Sequence, residues 1–296
     1  MDPVYKGTYA VFLGARGPAL SLSSTTSNLR PALLPLLPDF CCLCQKDADG
    51  QRTDAEQALF NMALKGNPCI SELYSHPTTF IFKVTQLPCG YPNGFSFPER
   101  FADGTICTPN KAKYFDRGWC FCESSIADLV KNSYKVLDLA NFTGTKSGAL
   151  NVIDECRSGR LPPMSPADFA QALENKSFTS KKADLDAVNA LYLRSYELHF
   201  SSAERLVYSH AGWGDTEVMA LCRALYGARE LKELLLIGNP IGQAGVLALA
   251  TCLRQGAAPK LESLAAFDGA ARADELAYAE LAAAIADVKA IRRAGS

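Results

Sequence analysis

Leu231-Lys-Glu-Leu234-Leu-Leu236-Ile-Gly-Asn239-Pro-Ile241-Gly242-Gln-Ala-Gly245-Val-Leu-Ala-Leu249-Ala250-Thr-Cys-Leu253 is the stretch on which the fold turns. Leu234 and Leu236 alternate, as the inward side chains of a short strand do. Asn239 sits where a side-chain amide can bond backbone groups inside a turn. Leu249 and Leu253 are four apart and make one face of a helix that closes the unit back onto the strand.

A shift of 28 positions toward the N-terminus places Leu206, Tyr208, Ala211, Trp213, Gly214, Leu221 and Leu225 at the matching slots. This is a second, degenerate unit, with Ala211 where Asn is expected. Toward the C-terminus, Leu264 and the alanine-rich segment around Leu276 to Val288 make a poorer third. The slots Leu231, Leu234, Leu236, Asn239, Ile241, Gly242, Gly245 and Leu249 together resemble a leucine-rich repeat of the ribonuclease-inhibitor type. The resemblance implies stacked strand–turn–helix units with a concave strand surface open to a protein partner. So short an array should lean on the helices that precede it, because solenoids usually need three or more units.

Two helices are expected upstream. Ser165-Pro166-Ala-Asp supplies a cap residue and a first-turn proline, and a second helix covers 182–200. Residues 141–164, rich in Gly, Ser and Pro, read as a joint. Before the joint, short apolar runs at 8–13, at Phe40-Cys-Cys-Leu43, at 78–84 and at 135–139 read as strands. The run at 78–84, Thr-Thr-Phe-Ile-Phe-Lys-Val, is the best of them. A helix starting at Asp54, and an amphipathic one over 117–132 with Trp119, Cys120, Ile126, Ala127 and Val130 on its apolar side, fall between them. Alternating strands and helices argue for a parallel sheet covered by helices. Residues 88–110, rich in Pro and Gly, read as a long loop.

The helix start Arg117-Gly118-Trp119-Cys120-Phe121-Cys122-Glu123 resembles the third helix of Toll/interleukin-receptor (TIR) domains. Tyr9-Ala-Val-Phe-Leu-Gly-Ala-Arg16-Gly17 looks like the first TIR strand and its loop. The resemblance covers residues 8–139 and extends to TIR-related and heterokaryon-incompatibility-like modules of protists, with Phe40-Cys-Cys-Leu-Cys-Gln45 as a further shared segment. Gly14 stands where the family usually has Ser. The resemblance implies a flavodoxin-like α/β fold that acts by assembly, or one that hydrolyses NAD at its nicotinamide–ribose bond. In the second case Glu123 is the catalytic carboxylate stabilising an oxocarbenium-like transition state. Arg16 would hold phosphate oxygens, and Trp119 would wall the substrate pocket. The plainer reading makes Glu123 a solvated first-turn residue and Trp119 packing.

Composition excludes other classes. The 296 residues are 48% hydrophobic and 21% charged, with a net charge of −1, which gives no global attraction to nucleic acid or anionic lipid. No apolar run reaches the length of a membrane span, and the start Met1-Asp2-Pro3 lacks the pattern of a secretory leader. The eleven cysteines are then expected to be buried free thiols in a reducing, cytoplasmic setting. Cys41-Cys42-x-Cys44 and Cys120-x-Cys122, with Cys89 and Cys107, lack the paired spacing of a zinc site, so no metal and no bound cofactor is expected. His76, His199 and His210 are scattered and read as surface or core residues. Arg157 to Arg160 and Lys181-Lys182 read as solvated basic spots. Gly14-Ala-Arg-Gly17 lacks the ending of a nucleotide-binding loop.

The sequence thus yields a TIR-like α/β domain over 1–140, a linker with helices over 141–200 and leucine-rich repeats over 201–296. The expected function is protein interaction or signalling through a protein partner on the repeat surface, with self-association of the N-terminal module. NAD hydrolysis is the alternative.

Overall fold

The computed structural model describes residues 8–12, 36–38, 51–65, 70–76, 79–85, 112–145, 148–157, 159–178, 181–266 and 275–294. The chain is mixed α/β and holds two small sheets.

The first sheet contains β1 (Thr8–Phe12), β2 (Leu36–Pro38), β3 (Thr79–Lys83) and β4 (Val136–Asp138), in the order β2-β1-β3-β4. β3 and β4 are parallel, pairing Ile81 with Val136 and Lys83 with Asp138. β1 runs antiparallel to both of its neighbours. The expected all-parallel sheet is therefore corrected to a mixed one. Alternation of side chains reports which faces a strand buries and carries no information about its direction. The expected strand at 40–43 lies outside the described residues, as do Arg16 and the loop 88–110 apart from its neighbours.

α1 (Asp54–Lys65) and α2 (Ile70–Ser75) precede β3, and α3 (Gly118–Val130) precedes β4. α3 is not the amphipathic surface helix that its spacing suggests. Every residue from Cys120 to Leu129 is buried, Glu123, Ser124, Ser125 and Asp128 included. Its start is set by contact with a later segment: Gly118 N–H donates to the Ser177 carbonyl at 2.9 Å. A Cβ on Gly118 would lie 1.9 Å from the Phe178 ring, so only glycine admits that approach.

α4 (Ala149–Cys156) forms inside the segment expected to be a joint, and α5 (Pro166–Glu174) follows it. Ser165 caps α5 as expected, its hydroxyl accepting the Asp168 N–H at 3.1 Å. α6 (Lys181–Ser195) runs on into a π-helical segment, Tyr196–Phe200.

The last third is built from three strand–helix units: β5 (Arg205–Val207) with α7 (Asp215–Leu225), β6 (Glu233–Leu235) with α8 (Gln243–Arg254), and β7 (Ser263–Ala265) with α9 (Glu275–Ala294). The strands form one parallel sheet in the order β5-β6-β7. Leu206 pairs with Leu234, and Leu234 with Leu264. The first pairing has the 28-residue offset read from the sequence. Residues 206, 234 and 236 are all fully buried, and α8 packs on both α7 and α9.

One apolar core runs from Tyr74 and Ile81 through α3, α5 and α6 into the three units as far as Val288. Aromatic rings line part of its path. Phe121 of α3 stacks on Phe169 of α5 at 5.4 Å, Phe169 on Tyr192 of α6 at 3.8 Å, and Tyr196 on Phe200 at 4.9 Å. The Tyr196 hydroxyl then donates to the Ala224 carbonyl of α7 at 2.7 Å. The short array leans on the preceding helices in this way.

Candidate interaction surface

One side chain bridges the first two units of the array. The half-buried Asn239 donates from Nδ2 to the carbonyls of Leu236 and Tyr208, both at 2.8 Å. Its Oδ1 accepts the backbone N–H of Ala211 at 2.9 Å and of Trp213 at 3.1 Å. Three of those four partners belong to the preceding unit, so Asn239 stitches two turns together rather than closing only its own. Ala211, which lacks an amide, receives this support from the next unit.

Gly242 and Gly245 acquire a specific role. The Asp215 carboxylate, at the first position of α7, accepts the N–H of Gly242 at 2.7 Å and of Gly245 at 2.9 Å. A carboxylate at these unpaired amides caps α8 from outside its own unit. A Cβ on Gly242 or Gly245 would stand 2.8 or 2.7 Å from an Asp215 oxygen, closer than such atoms approach. Leu231, Leu234, Leu236, Ile241 and Leu249 are all buried and form the packing of the unit.

The side of the short strands that faces away from Leu206 and Leu234 is accessible. Along it run Arg205, Glu233 and Ser263 in one row and the half-buried Val207, Leu235 and Ala265 in a second. Arg205 pairs with Glu233 across the strands, Lys232 with Glu204 at 2.8 Å and Lys260 with Glu230 at 2.6 Å. An apolar row edged by mutually paired charges combines a low desolvation cost with polar groups that can exchange partners.

The residues expected to carry NAD chemistry are placed differently. Glu123 lies on α3 and is only 6% exposed, so it is not the solvated first-turn glutamate of the plainer reading. Trp119, one turn earlier, is partly buried and packs against the core. Arg16 lies outside the described residues. A hollow of about 510 Å³ opens between Phe121, Met164, Ala172, Ala220, Asp168 and Arg223, and one of about 360 Å³ lies among Glu197, Ser201, Ser202, Arg229 and Glu230. Glu123 borders neither.

The most polar buried group was not foreseen. The fully buried Asp128 of α3 faces Arg160 Nε at 3.3 Å and Lys83 Nζ of β3 at 3.6 Å, and accepts the Leu161 N–H at 3.1 Å. Arg160 also donates to the carbonyls of Asp128 and Lys131, and its guanidinium lies 4.7 Å over the Tyr208 ring. Burial lowers its pKa, and the Asp128 charge opposes that shift. Arg160 is 3% exposed, which corrects the solvated reading for Arg160, whereas Arg157 is partly exposed and pairs with Asp154. The same knot holds the first unit of the array: Trp213 Nε1 donates to the Arg160 carbonyl at 2.9 Å, Tyr208 to the Leu129 carbonyl, and Ser133 to the Ser209 carbonyl.

Compared with family models, curated proteins and solved structures, the chain matches none of them.

Among the described residues no cluster of three or more His, Cys, Asp or Glu could hold a metal ion, and no helix is long and apolar enough to cross a membrane. Cys120, Cys122, Cys156, Cys222 and Cys252 are buried and in no disulfide. Asp128, Lys83 and Arg160 escape sequence reading because each looks ordinary locally. One signal was available: Asp128 interrupts the apolar spacing of a helix that otherwise reads as core. His76 and His210 are exposed, and His199 is half-buried with its pKa lowered by burial.

Proposed function

We propose that this chain is a protein-interaction or signalling protein of the cytoplasm. Its residues 201–296 form a short leucine-rich-repeat array that binds a protein partner, and its N-terminal module is TIR-like and serves assembly, self-association included. The observation that carries the reading is the outer row Val207, Leu235 and Ala265, half-exposed and edged by the Arg205–Glu233 pair. Three stacked units, their strands paired in one parallel sheet and the first two also joined by the Asn239 amide, hold that row in line.

Val207→Asp and Leu235→Asp put a charge into the apolar row and leave the buried side of each strand untouched. Both variants are expected to keep the wild-type circular dichroism spectrum and to lose the partners that co-purify with the wild type. Leu247→Asp, on the exposed side of α8, serves as the control and retains them. Retention by the strand-face variants of every partner that the wild type binds sinks the proposal. Glu123 is buried on all sides of its helix, which favours interaction over NAD hydrolysis. Nicotinamide release from NAD by the full chain, abolished in Glu123→Ala, would reverse that preference.

A further inference from the structure

The hollow of about 510 Å³ between α3, α5 and α7 falls in the size range of small-molecule sites. Its floor is apolar, made by the buried Phe121 ring and the half-buried Leu161, Met164, Ala172 and Ala220. Its rim is rich in donors. Arg223 directs Nε at Asp168, 3.0 Å away, and Nη1 at the Met219 carbonyl, 3.5 Å away, which leaves Nη2 without a partner among the described residues. The exposed amides of Gln171 and Asn175, on the same rim, have none either. Lys176, the next residue, holds its ammonium 4.4 Å over the Phe121 ring. Asp168, the acid of the rim, is already engaged: it accepts from the Ser165 hydroxyl at 2.9 Å as well as from Arg223. Asp168 and Arg223 offset each other, so Lys176 gives these groups one positive charge in excess. An apolar floor under unpartnered donors and an extra cation matches a ligand that is apolar at one end and an anionic acceptor at the other.

We infer that this hollow is a binding site for a small monocarboxylate with an apolar body, of the kind a medium-chain fatty acid represents. The apolar body lies on Phe121, Met164 and Ala220. The carboxylate accepts from the open Nη2 of Arg223 and from the Lys176 ammonium, two charge-assisted bonds that neutral or cationic ligands of the same shape do not make. A cationic ligand meets Lys176 and Arg223 as like charges. A ligand seated there touches α3, α5 and α7 at once, so it fastens a helix of the N-terminal half to the first unit of the array. The hollow includes none of the strand-face residues Val207, Leu235 and Ala265. The inference therefore stands or falls separately from the partner-binding reading.

The test titrates octanoate into the full-length chain by isothermal calorimetry, with octylammonium, the same tail under the opposite charge, as the comparison. Octanoate is expected to saturate with a dissociation constant below about 10 mM, an affinity that a ligand of so few atoms supports. Octylammonium is expected to bind at least about tenfold more weakly, the contribution of one charge-assisted hydrogen bond. Ala220→Phe fills the hollow and abolishes octanoate binding. Arg223→Gln weakens octanoate about tenfold and does not weaken octylammonium. Should Ala220→Phe not fold, Arg223→Gln decides. Three outcomes overturn the inference: no saturable octanoate binding in this range, octylammonium bound as tightly as octanoate, or an octanoate affinity unchanged in either folded variant.

Discussion

At the scale of single residues, the array depends on an amide whose reach exceeds its own turn. Asn239 satisfies two N–H groups and two carbonyls that the turn would otherwise leave without partners. Such orphaned groups cost more than the net value of the bonds they lose. Asn239→Ala is therefore expected to destabilise the chain by roughly 2–4 kcal/mol. Asn239→Asp should do no better, because it sets a carboxylate oxygen against the Tyr208 and Leu236 carbonyls. Urea unfolding of the two variants measures both, and a loss under about 0.5 kcal/mol for the alanine variant would contradict the account. The position of Asn239 is legible in the sequence, since its slot between Leu236 and Ile241 is set by spacing. Its partners are not, because spacing says nothing of which neighbouring turn an amide meets. Arg160 shows the same limit: its partner Asp128 lies 32 residues upstream, so the sequence around it reads as a solvated basic spot.

At the scale of elements, α3 is the helix on which the rest is assembled, and its C-terminal end carries an uncommon charge. Lys131, the residue after α3, donates from Nζ to the carbonyls of His76 and Thr79 and to the Thr79 hydroxyl. The Thr79 hydroxyl hydrogen is itself directed at the Leu73 and His76 carbonyls. Burial opposes that charge, with Lys135 and Arg160 adding to the effect, and pulls the pKa from 10.5 to about 7. The sign follows from proton counting. Between pH 7 and 10.5 the unfolded chain holds a proton that the folded chain has released, so stability rises with pH across that window and is flat below it. The slope attributable to Lys131 approaches about 1.4 kcal/mol per pH unit. Denaturation of the wild type and of Lys131→Met at pH 6, 8 and 9.5 isolates it as the difference between the two proteins. A difference that does not change with pH would refute it. The extents of α3 and β3 are legible from apolar spacing and from the β-branched and aromatic run, and the start of α5 from the Ser165 cap. The burial of α3 on every side is not, because Glu123 and Asp128 make its sequence look two-faced.

At the scale of the whole molecule, the question is whether the TIR-like and repeat segments read from the sequence behave as separate bodies. Composition shifts near residues 141–164 suggest a joint, yet α4 and the Arg160 knot occupy that segment and tie it to both sides. The apolar core passes without a break from Ile81 to Val288. The first unit of the array hands its Tyr208 hydroxyl and Trp213 indole N–H to α3 and to Arg160, so exposing either half would strand buried polar groups in the other. Cooperative unfolding in a single step is the expected consequence. The chain offers a direct measure, because it has two tryptophans: Trp119 reports on α3, and Trp213 on the first unit. In Trp119→Phe the remaining fluorescence follows the array, and in Trp213→Phe it follows the helix. Trp213→Phe should lower the midpoint through loss of the Arg160 bond, so each variant is compared with its own far-ultraviolet circular dichroism. Both fluorescence transitions should coincide with that signal within each variant. If the array probe and the helix probe instead depart from it in opposite directions, the core is divided, and the three strand–helix units fold independently of the segment that precedes them.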